Sequence, residues 1–137
     1  MGKQQKAWIA RPVKSSHPSM LDSIKMELET KATDLIQNVL KPKHVLPPPE
    51  DMQFNYLIDI GMKWYRNYFY FTSTYACPDA NALSPTFELR FARMEHIGDG
   101  KFNLAFMRHT DEWFVLYDGL SVDECLSTIR DDAWFMP

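Results

Sequence analysis

The 137-residue chain is poor in the residues that form short functional motifs. Its five glycines form neither a phosphate-binding loop nor a G-x-G-x-x-G dinucleotide fingerprint. Its two cysteines, Cys77 and Cys125, are too few and too far apart for a disulfide framework or a zinc knuckle. No run approaches the roughly 20 apolar residues of a membrane helix, and the start MGKQQKAW lacks the apolar stretch of a signal peptide. We therefore expect a soluble cytoplasmic protein with reduced thiols.

Aromatic residues, by contrast, are plentiful. Nine Phe, six Tyr and four Trp make up 14% of the sequence, which supplies enough apolar area for the core of one domain of this size.

Charge is unevenly distributed along the chain. Residues 1–44 hold eight basic and four acidic side chains, a net of +4, so residues 45–137 carry −7 of the total of −3. A basic segment on an acidic body indicates either contact with an acidic partner or a solubilising tail.

The first 18 residues have no sustained hydrophobic period and contain one glycine and two prolines, which predicts an extended arm before a single α+β domain at 19–137. Apolar residues interrupt its basic side chains, and such residues would contact a surface of this chain or of a partner. The predicted partner-binding residues are Lys3, Lys6, Trp8, Ile9, Arg11 and Lys14.

A helix is predicted from Met20 to Leu40, with Ser19 as its N-cap and Pro42 as its end. Residues 42–50 are proline-rich, and we interpret them as a stiff spacer inside the domain rather than as a docking ligand. The apolar stripe of the helix consists of Leu21, Ile24, Leu28, Ala32, Leu35, Ile36, Val39 and Leu40.

From residue 53 the hydrophobic period becomes two, which predicts strands. In the first strand, Phe54, Tyr56, Ile58 and Ile60 would form the buried face, and Gly61 would allow a bend. The next stretch, WYRNYFYFTSTYA, is aromatic on both faces and fits a strand in the middle of a sheet. Its predicted faces are Trp64, Tyr68 and Tyr70 on one side and Tyr65, Phe69, Phe71 and Tyr75 on the other.

Three further alternating segments predict strands around residues 87–91, 102–106 and 113–117, joined by two hairpins. In the first hairpin, a two-residue loop would place Phe91 opposite Phe106, whereas a three-residue loop would invert one strand's faces. The second hairpin, with a two-residue loop at 110–111, would pair Arg108 with Trp113 and Phe106 with Val115.

The last predicted element is a helix with a capping box formed by Ser121 and Glu124. Its apolar stripe is Val122, Cys125, Leu126 and Ile129. The order of elements predicts an α+β fold, an antiparallel meander of about five strands flanked by an N-terminal and a C-terminal helix that cover one sheet face. The predicted core includes Trp64, Phe69, Phe71, Phe91, Phe106, Val115 and Ile129.

The sequence predicts no catalytic residue, no metal site and no cofactor. The four histidines, His17, His44, His96 and His109, lack ligand spacing. Cys125 lies on an apolar helical stripe, and Cys77 has no obvious activating base although a reactive thiol is an alternative. A polar turn accounts for His109 beside Asp111 and Glu112 more simply than acid–base chemistry does.

Arg90, Arg93 and Arg108 lie on adjacent predicted strands among aromatic residues. One interpretation is that their stems cover aromatic rings, with Arg108 over Trp113. The alternative is an arginine cluster that binds a carboxylate or a phosphate. An RNA-binding sheet would need a basic field, which the body's charge of −7 opposes, so only the arm would suit nucleic acid.

The run FELRFARMEHIGDGKFNLAFMRHTDEWFVLYDGLSVDECLSTIRDDAWF resembles a family of short bacterial domains of unknown function. In that family a W-x-x-Y-like strand precedes a helix that ends in an aspartate and an aromatic residue. Trp113 with Tyr117, and Asp132 with Phe135, occupy those places, although the first spacing is one residue longer here. The resemblance covers roughly residues 30–135 and implies an α+β fold in a bacterial cytoplasm.

These observations favour a non-enzymatic accessory or binding domain that docks on a partner protein or forms a homo-oligomer, as a small subunit of an assembly. The alternative is a small-ligand or anion-binding domain, or an enzyme, that uses Arg90, Arg93 and Arg108. A flat apolar patch would support the first reading, and a concave pocket with convergent Arg or His would support the second.

Overall fold

A computed structural model describes residues 20–50, 54–108 and 110–137. The helical elements are α1 (Asp22–Leu35), a π-helical segment (Ile36–Leu40), α2 (Lys41–His44), α3 (Val122–Asp131) and a 3₁₀ turn (Ala133–Phe135). The strands are β1 (Tyr56–Tyr65), β2 (Tyr68–Ala76), β3 (Thr86–Gly98), β4 (Lys101–Met107) and β5 (Trp113–Leu120). All neighbours are antiparallel and lie in chain order, which confirms the predicted α+β meander flanked by helices.

The N-terminal helix differs from its prediction at both ends. Its N-cap is Leu21, without a side-chain hydrogen bond, whereas Ser19 lies outside the described residues. Pro42 does not end the helix, which continues to His44. The π-helical segment explains why: the Lys41 amide donates to the carbonyl of Ile36, five residues back, and this wider turn precedes the proline. Pro42 is the second residue of α2. A proline is tolerated in the first turn of a helix because its missing N–H needs no partner there.

The apolar stripe of this helix is buried over most of its length. Leu28, Ala32, Leu35, Ile36 and Leu40 are buried, whereas Leu21 is exposed at the first turn. On the outer face, Lys31 forms an ion pair with Glu27, four residues earlier, at 2.8 Å, and it also contacts Asp123 of α3 at 2.8 Å. The one ammonium group therefore links the two long helices.

Strand β1 begins later than predicted and does not bend at Gly61. A register shift between Leu57 and Asp59 changes which side chains face the core, so Ile58 is exposed and Leu57 packs on the core instead. Phe54 precedes the strand and is 72% exposed. Gly61 continues the strand opposite Thr72, whose Oγ1 would lie 3.2 Å from an added Cβ.

The segment predicted as one aromatic strand is a hairpin. Tyr65 pairs with Tyr68 across a two-residue turn in which Arg66 adopts a φ of 56°. This turn places Trp64 opposite Phe69 on one face. The predicted grouping of Trp64 with Tyr68 and Tyr70 is therefore wrong, because it assumed an uninterrupted strand.

The structure gives the register of the first later hairpin, which the sequence left open, and shifts the register of the second by one residue from its prediction. In the β3–β4 hairpin, Gly98 pairs with Lys101 across Asp99-Gly100, both with positive φ, and a bulge then pairs Met94 with Leu104 instead of Phe91 with Phe106.

In the β4–β5 hairpin, Asp111 has a φ of 63°, its amide donates to the carbonyl of Arg108, and the Arg108 amide donates to the carbonyl of Glu112. The longer loop pairs Met107 with Trp113, so the predicted pairing of Arg108 with Trp113 is wrong.

The sheet has two different faces. We call the side that packs on the helices the helical face; its buried side chains are Phe69, Phe71, Met94, Phe102 and Leu104, which form one cluster with the stripes of α1 and α3. Of the predicted core residues, Phe69, Phe71, Phe91 and Ile129 are buried, and Trp64 and Phe106 are partly buried. Val115 is 42% exposed, contrary to prediction. It pairs with Ala105, and both side chains lie on the face of the sheet opposite the helices.

Helix α3 matches its prediction closely. Ser121 Oγ accepts a hydrogen bond from the Glu124 amide, and the Glu124 carboxylate accepts one from the Ser121 amide, which completes the capping box. Its four apolar stripe residues are buried. None of the helices in the described ranges combines the length and the apolar character that crossing a membrane requires.

Candidate functional site

The side of the sheet opposite the helical face carries arginines stacked on aromatic rings. We call this surface the open face and define it by Tyr68, Tyr70, Arg90, Arg93 and Trp113. Its side chains come from three strands, and cross-strand pairing brings them together: Tyr70 pairs with Arg93, and Thr72 pairs with Arg90. Tyr70 is buried but does not belong to the core cluster that the helices share. The open face is thus a second, separate aromatic cluster.

Arg93 lies between two aromatic rings. Its guanidinium carbon is 4.9 Å from the centroid of Tyr68 and 5.0 Å from that of Trp113. Such cation–π contacts hold the planar side chain in one orientation without consuming its hydrogen-bond donors. Its Nε is buried and has no acceptor among the described residues. A buried N–H without a partner costs about 1–3 kcal/mol, and the contacts with the two rings act against that cost.

Arg90 is held in a similar way one step along the sheet. Its guanidinium carbon is 4.4 Å from the centroid of Tyr70, whose ring also contacts Trp113 at a centroid distance of 5.7 Å. The side chain of Arg90 is exposed, so its donors face solvent. Because both arginines share one aromatic base, the face presents two positive groups in fixed positions.

Electrostatics distinguish these two arginines from the lysine that lies beside them on the same face. Lys63, at the margin of the same face, is neutralised by Glu88 at 2.6 Å. Within the part of the chain that the structure describes, neither Arg90 nor Arg93 has a carboxylate within ion-pair distance. No carboxylate of the described residues therefore neutralises either guanidinium group.

Arg108, the third predicted arginine, is not part of this cluster. Its guanidinium carbon lies 5.6 Å from the ring centroid of Phe114, which contacts Phe106 and so belongs to the helical face. The expected stacking of Arg108 on Trp113 is wrong, because the three-residue loop of the β4–β5 hairpin pairs Trp113 with Met107 and not with Arg108. The three arginines do not converge on one ligand.

The remaining titratable candidates show little sign of chemistry. Burial raises the pKa of the Cys125 thiol to about 12, which fits a packing role, and Cys77 is a half-buried free thiol in the loop after β2. Burial, with the neighbouring charge of Lys43, lowers the pKa of His44. Over residues 20–50, 54–108 and 110–137, no three His, Cys, Asp or Glu side chains are grouped as a metal site would require.

The predicted partner-binding residues of the arm lie outside the described residues, as do His17 and His109. These arm residues are Lys3, Lys6, Trp8, Ile9, Arg11 and Lys14.

The sequence did indicate arginines among aromatic residues, but it did not show which rings each arginine contacts. That information depends on the bulge between Phe71 and Thr72, which sets Arg90 and Arg93 on the same face despite their odd spacing.

One known sequence family matches most of the chain. The description of that family is a domain of unknown function (DUF3024), and its sequence pattern matches residues 21–137. The chain belongs to the DUF3024 family. This confirms the resemblance to a domain of unknown function, and the DUF3024 match leaves the basic arm outside it. Comparison with curated proteins and with solved structures gives no match.

Proposed function

We propose that this chain is a protein-docking module whose open face binds a partner protein that presents carboxylate groups among apolar side chains. The observation that carries the proposal is the pair Arg90 and Arg93, stacked on three aromatic rings and without an acidic partner among the described residues. Arginine and large aromatic residues are the types enriched at the energetic centres of protein interfaces.

The charge of the domain limits the class of partner. Residues 45–137 carry a net −7, which opposes a long polyanion such as nucleic acid at any distance beyond the local field of the two arginines. A carboxylate on a partner surface needs only that local field, and a bidentate contact with a fixed guanidinium adds geometric specificity. The observed charge pattern therefore favours a protein with a locally acidic segment.

The shape and composition of the face favour a protein over a small anion. The cluster extends across β2, β3 and β5, and exposed apolar side chains continue it at Tyr65 and Val115. A small anion would use the two guanidinium groups and leave this apolar surface in water. A protein surface would cover both, which is how polar and apolar contacts are combined in stable interfaces.

A cytoplasmic setting and membership of an assembly are part of the same proposal. The free thiols Cys77 and Cys125 suit a reducing compartment. The basic arm would supply a second contact on the partner, through Trp8 and the lysines beside it.

Photo-crosslinking in the native host tests the proposal directly. A photoreactive phenylalanine analogue at Val115 samples the open face, and the same analogue at Thr33, exposed on α1, samples the helical side. We expect one partner to crosslink from Val115 only. We then expect purified partner to bind the wild type, with an Asp- or Glu-containing segment mapped at the crosslink.

The double variant Arg90→Gln/Arg93→Gln should weaken that binding at least about tenfold, because two charge-assisted contacts are lost. Arg130→Gln is the control, since it removes an exposed cation from α3, which packs on the helical face of the sheet. Equal binding by all variants, crosslinks only from Thr33, or no crosslinked protein would each contradict the proposal. Saturable binding of inorganic phosphate or acetate by the wild type, lost in the double variant and without a protein partner, would identify a small-anion site instead.

A further inference from the structure

A cleft on the helical face, distinct from the open face, lies beside edge strand β5. It has a volume of about 570 Å³, within the range of small-molecule sites. Its lining residues are Phe106, Met107, Arg108, Phe114, Leu116 and Trp134, with Ala133 at one end. Most of these side chains are apolar, and a single charged group lies among them.

Aromatic rings form the walls of this cleft. The Phe106 ring contacts Trp134 at a centroid distance of 4.8 Å and Phe114 at 5.6 Å. Trp134 is nevertheless 59% exposed and Phe114 44% exposed, so two large rings border solvent without a covering element among the described residues. Exposed aromatic surface of this kind is typical of a ligand site.

Hydrogen bonds hold one wall in place. Asp132 Oδ1 accepts from the Trp134 amide at 3.0 Å, and Asp132 Oδ2 accepts from the Tyr117 hydroxyl at 3.3 Å. The 3₁₀ turn that carries Trp134 is thereby tied to β5. Both carboxylate oxygens of Asp132 already accept hydrogen bonds within the protein.

The charged group of the cleft is Arg108. Its side chain is exposed and rests on the Phe114 ring, and no carboxylate among the described residues pairs with it. Apolar walls with one unpaired guanidinium complement a ligand that has an apolar body and one negative group.

We propose that this cleft binds a small amphiphilic carboxylate, with its apolar body between Phe114 and Trp134 and its carboxylate on Arg108. The site is independent of the proposed docking on the open face, because it uses different side chains on the other side of the sheet. Its occupant is identified by chemistry: an aromatic or branched aliphatic acid of a size that a cleft of about 570 Å³ admits.

Two matched probes separate the charge from the apolar contact. 1-Naphthaleneacetic acid and 1-naphthaleneacetamide have the same ring system, and only the acid is charged near neutral pH. The full chain is titrated with each probe, and binding is measured by calorimetry and by amide chemical shifts. The acid should bind saturably and with an affinity about fivefold higher than that of the amide. The largest shifts should lie at Phe114, Leu116 and Trp134.

Variants assign the two contributions. Arg108→Gln should abolish the preference for the acid and leave amide binding unchanged, whereas Phe114→Ala should weaken both probes. Arg130→Gln and the double variant Arg90→Gln/Arg93→Gln should bind both probes like the wild type. The proposal is overturned if neither probe binds saturably at millimolar concentration, if the acid–amide ratio survives Arg108→Gln, or if the shifts map to another surface.

Discussion

Replacing Phe69 by alanine is the most direct test of the core. The ring is 0% exposed and contacts Trp64 edge-on at 4.8 Å and Phe71 at 5.4 Å. It lies near the start of β2, on the face that packs against the helices. Its removal leaves a cavity that the surrounding strands can fill only in part.

The expected magnitude follows from this complete burial. A buried Phe→Ala substitution costs about 3–5 kcal/mol of unfolding free energy, from lost transfer energy and from the cavity. Two edge-on aromatic contacts are lost as well, each worth about 0.5–1.5 kcal/mol beyond the buried area, so we expect the upper half of that range. Since domains are stable by about 5–15 kcal/mol, the variant should remain folded in water but with a much lower denaturant midpoint.

Two other phenylalanines calibrate the measurement. Phe106 is half-buried and borders the cleft, so Phe106→Ala should cost less than Phe69→Ala, below about 3 kcal/mol. Phe114 is 44% exposed, and Phe114→Ala should cost about 1 kcal/mol or less.

Equilibrium unfolding in urea, with fluorescence and circular dichroism as probes, measures the three variants. Coincident transitions and unchanged m-values would validate the two-state comparison. A loss below 1 kcal/mol for Phe69→Ala, or a larger loss for Phe114→Ala than for Phe69→Ala, would show that Phe69 is not at the centre of the core.

Three further outcomes are expected. In the native protein a thiol reagent at pH 8 should modify Cys77 and spare Cys125, whose raised pKa of about 12 and burial keep it protonated; equal reaction of both would contradict the packing of α3. Ser121→Ala should cost about 1 kcal/mol near neutral pH. The hydrogen bond from the Ser121 backbone amide lowers the pKa of Glu124, so this contact stabilises the fold fully above the unfolded pKa and is lost as pH falls through the folded pKa. The difference in stability between wild type and Glu124→Gln should therefore shrink in acid, and a constant difference would argue against the box. Deleting residues 1–17 should leave the melting temperature nearly unchanged and abolish association with the partner protein. Unfolding of the monomer would instead show that the arm belongs to the core.

Local features were predictable because short sequence segments determine them. The capping box at Ser121 and Glu124 and the stripe of α3 depend on residues three or four positions apart, and the structure confirms both. The number of strands and their antiparallel order follow from period-two alternation and short connections, and these too are confirmed.

Features that depend on pairing between strands were not predictable in the same way. The turn at Arg66 and Asn67 has no glycine, and the π-helical segment before Pro42 has no local sequence signal that we recognise. A shift of one residue moves every side chain of a strand to the other face, so the length of the β4–β5 loop decided that Val115 is exposed.

The candidate sites show the same division. The sequence alone indicated that Arg90, Arg93 and Arg108 lie among aromatic residues on adjacent predicted strands. Only the tertiary structure decided that Arg93 lies between Tyr68 and Trp113 while Arg108 lies on Phe114 at the other side of the sheet. The physical reason is that a ring contact requires a specific cross-strand neighbour, and cross-strand neighbours are set by hairpin loops and bulges whose cost or gain depends on how the whole sheet packs against its helices.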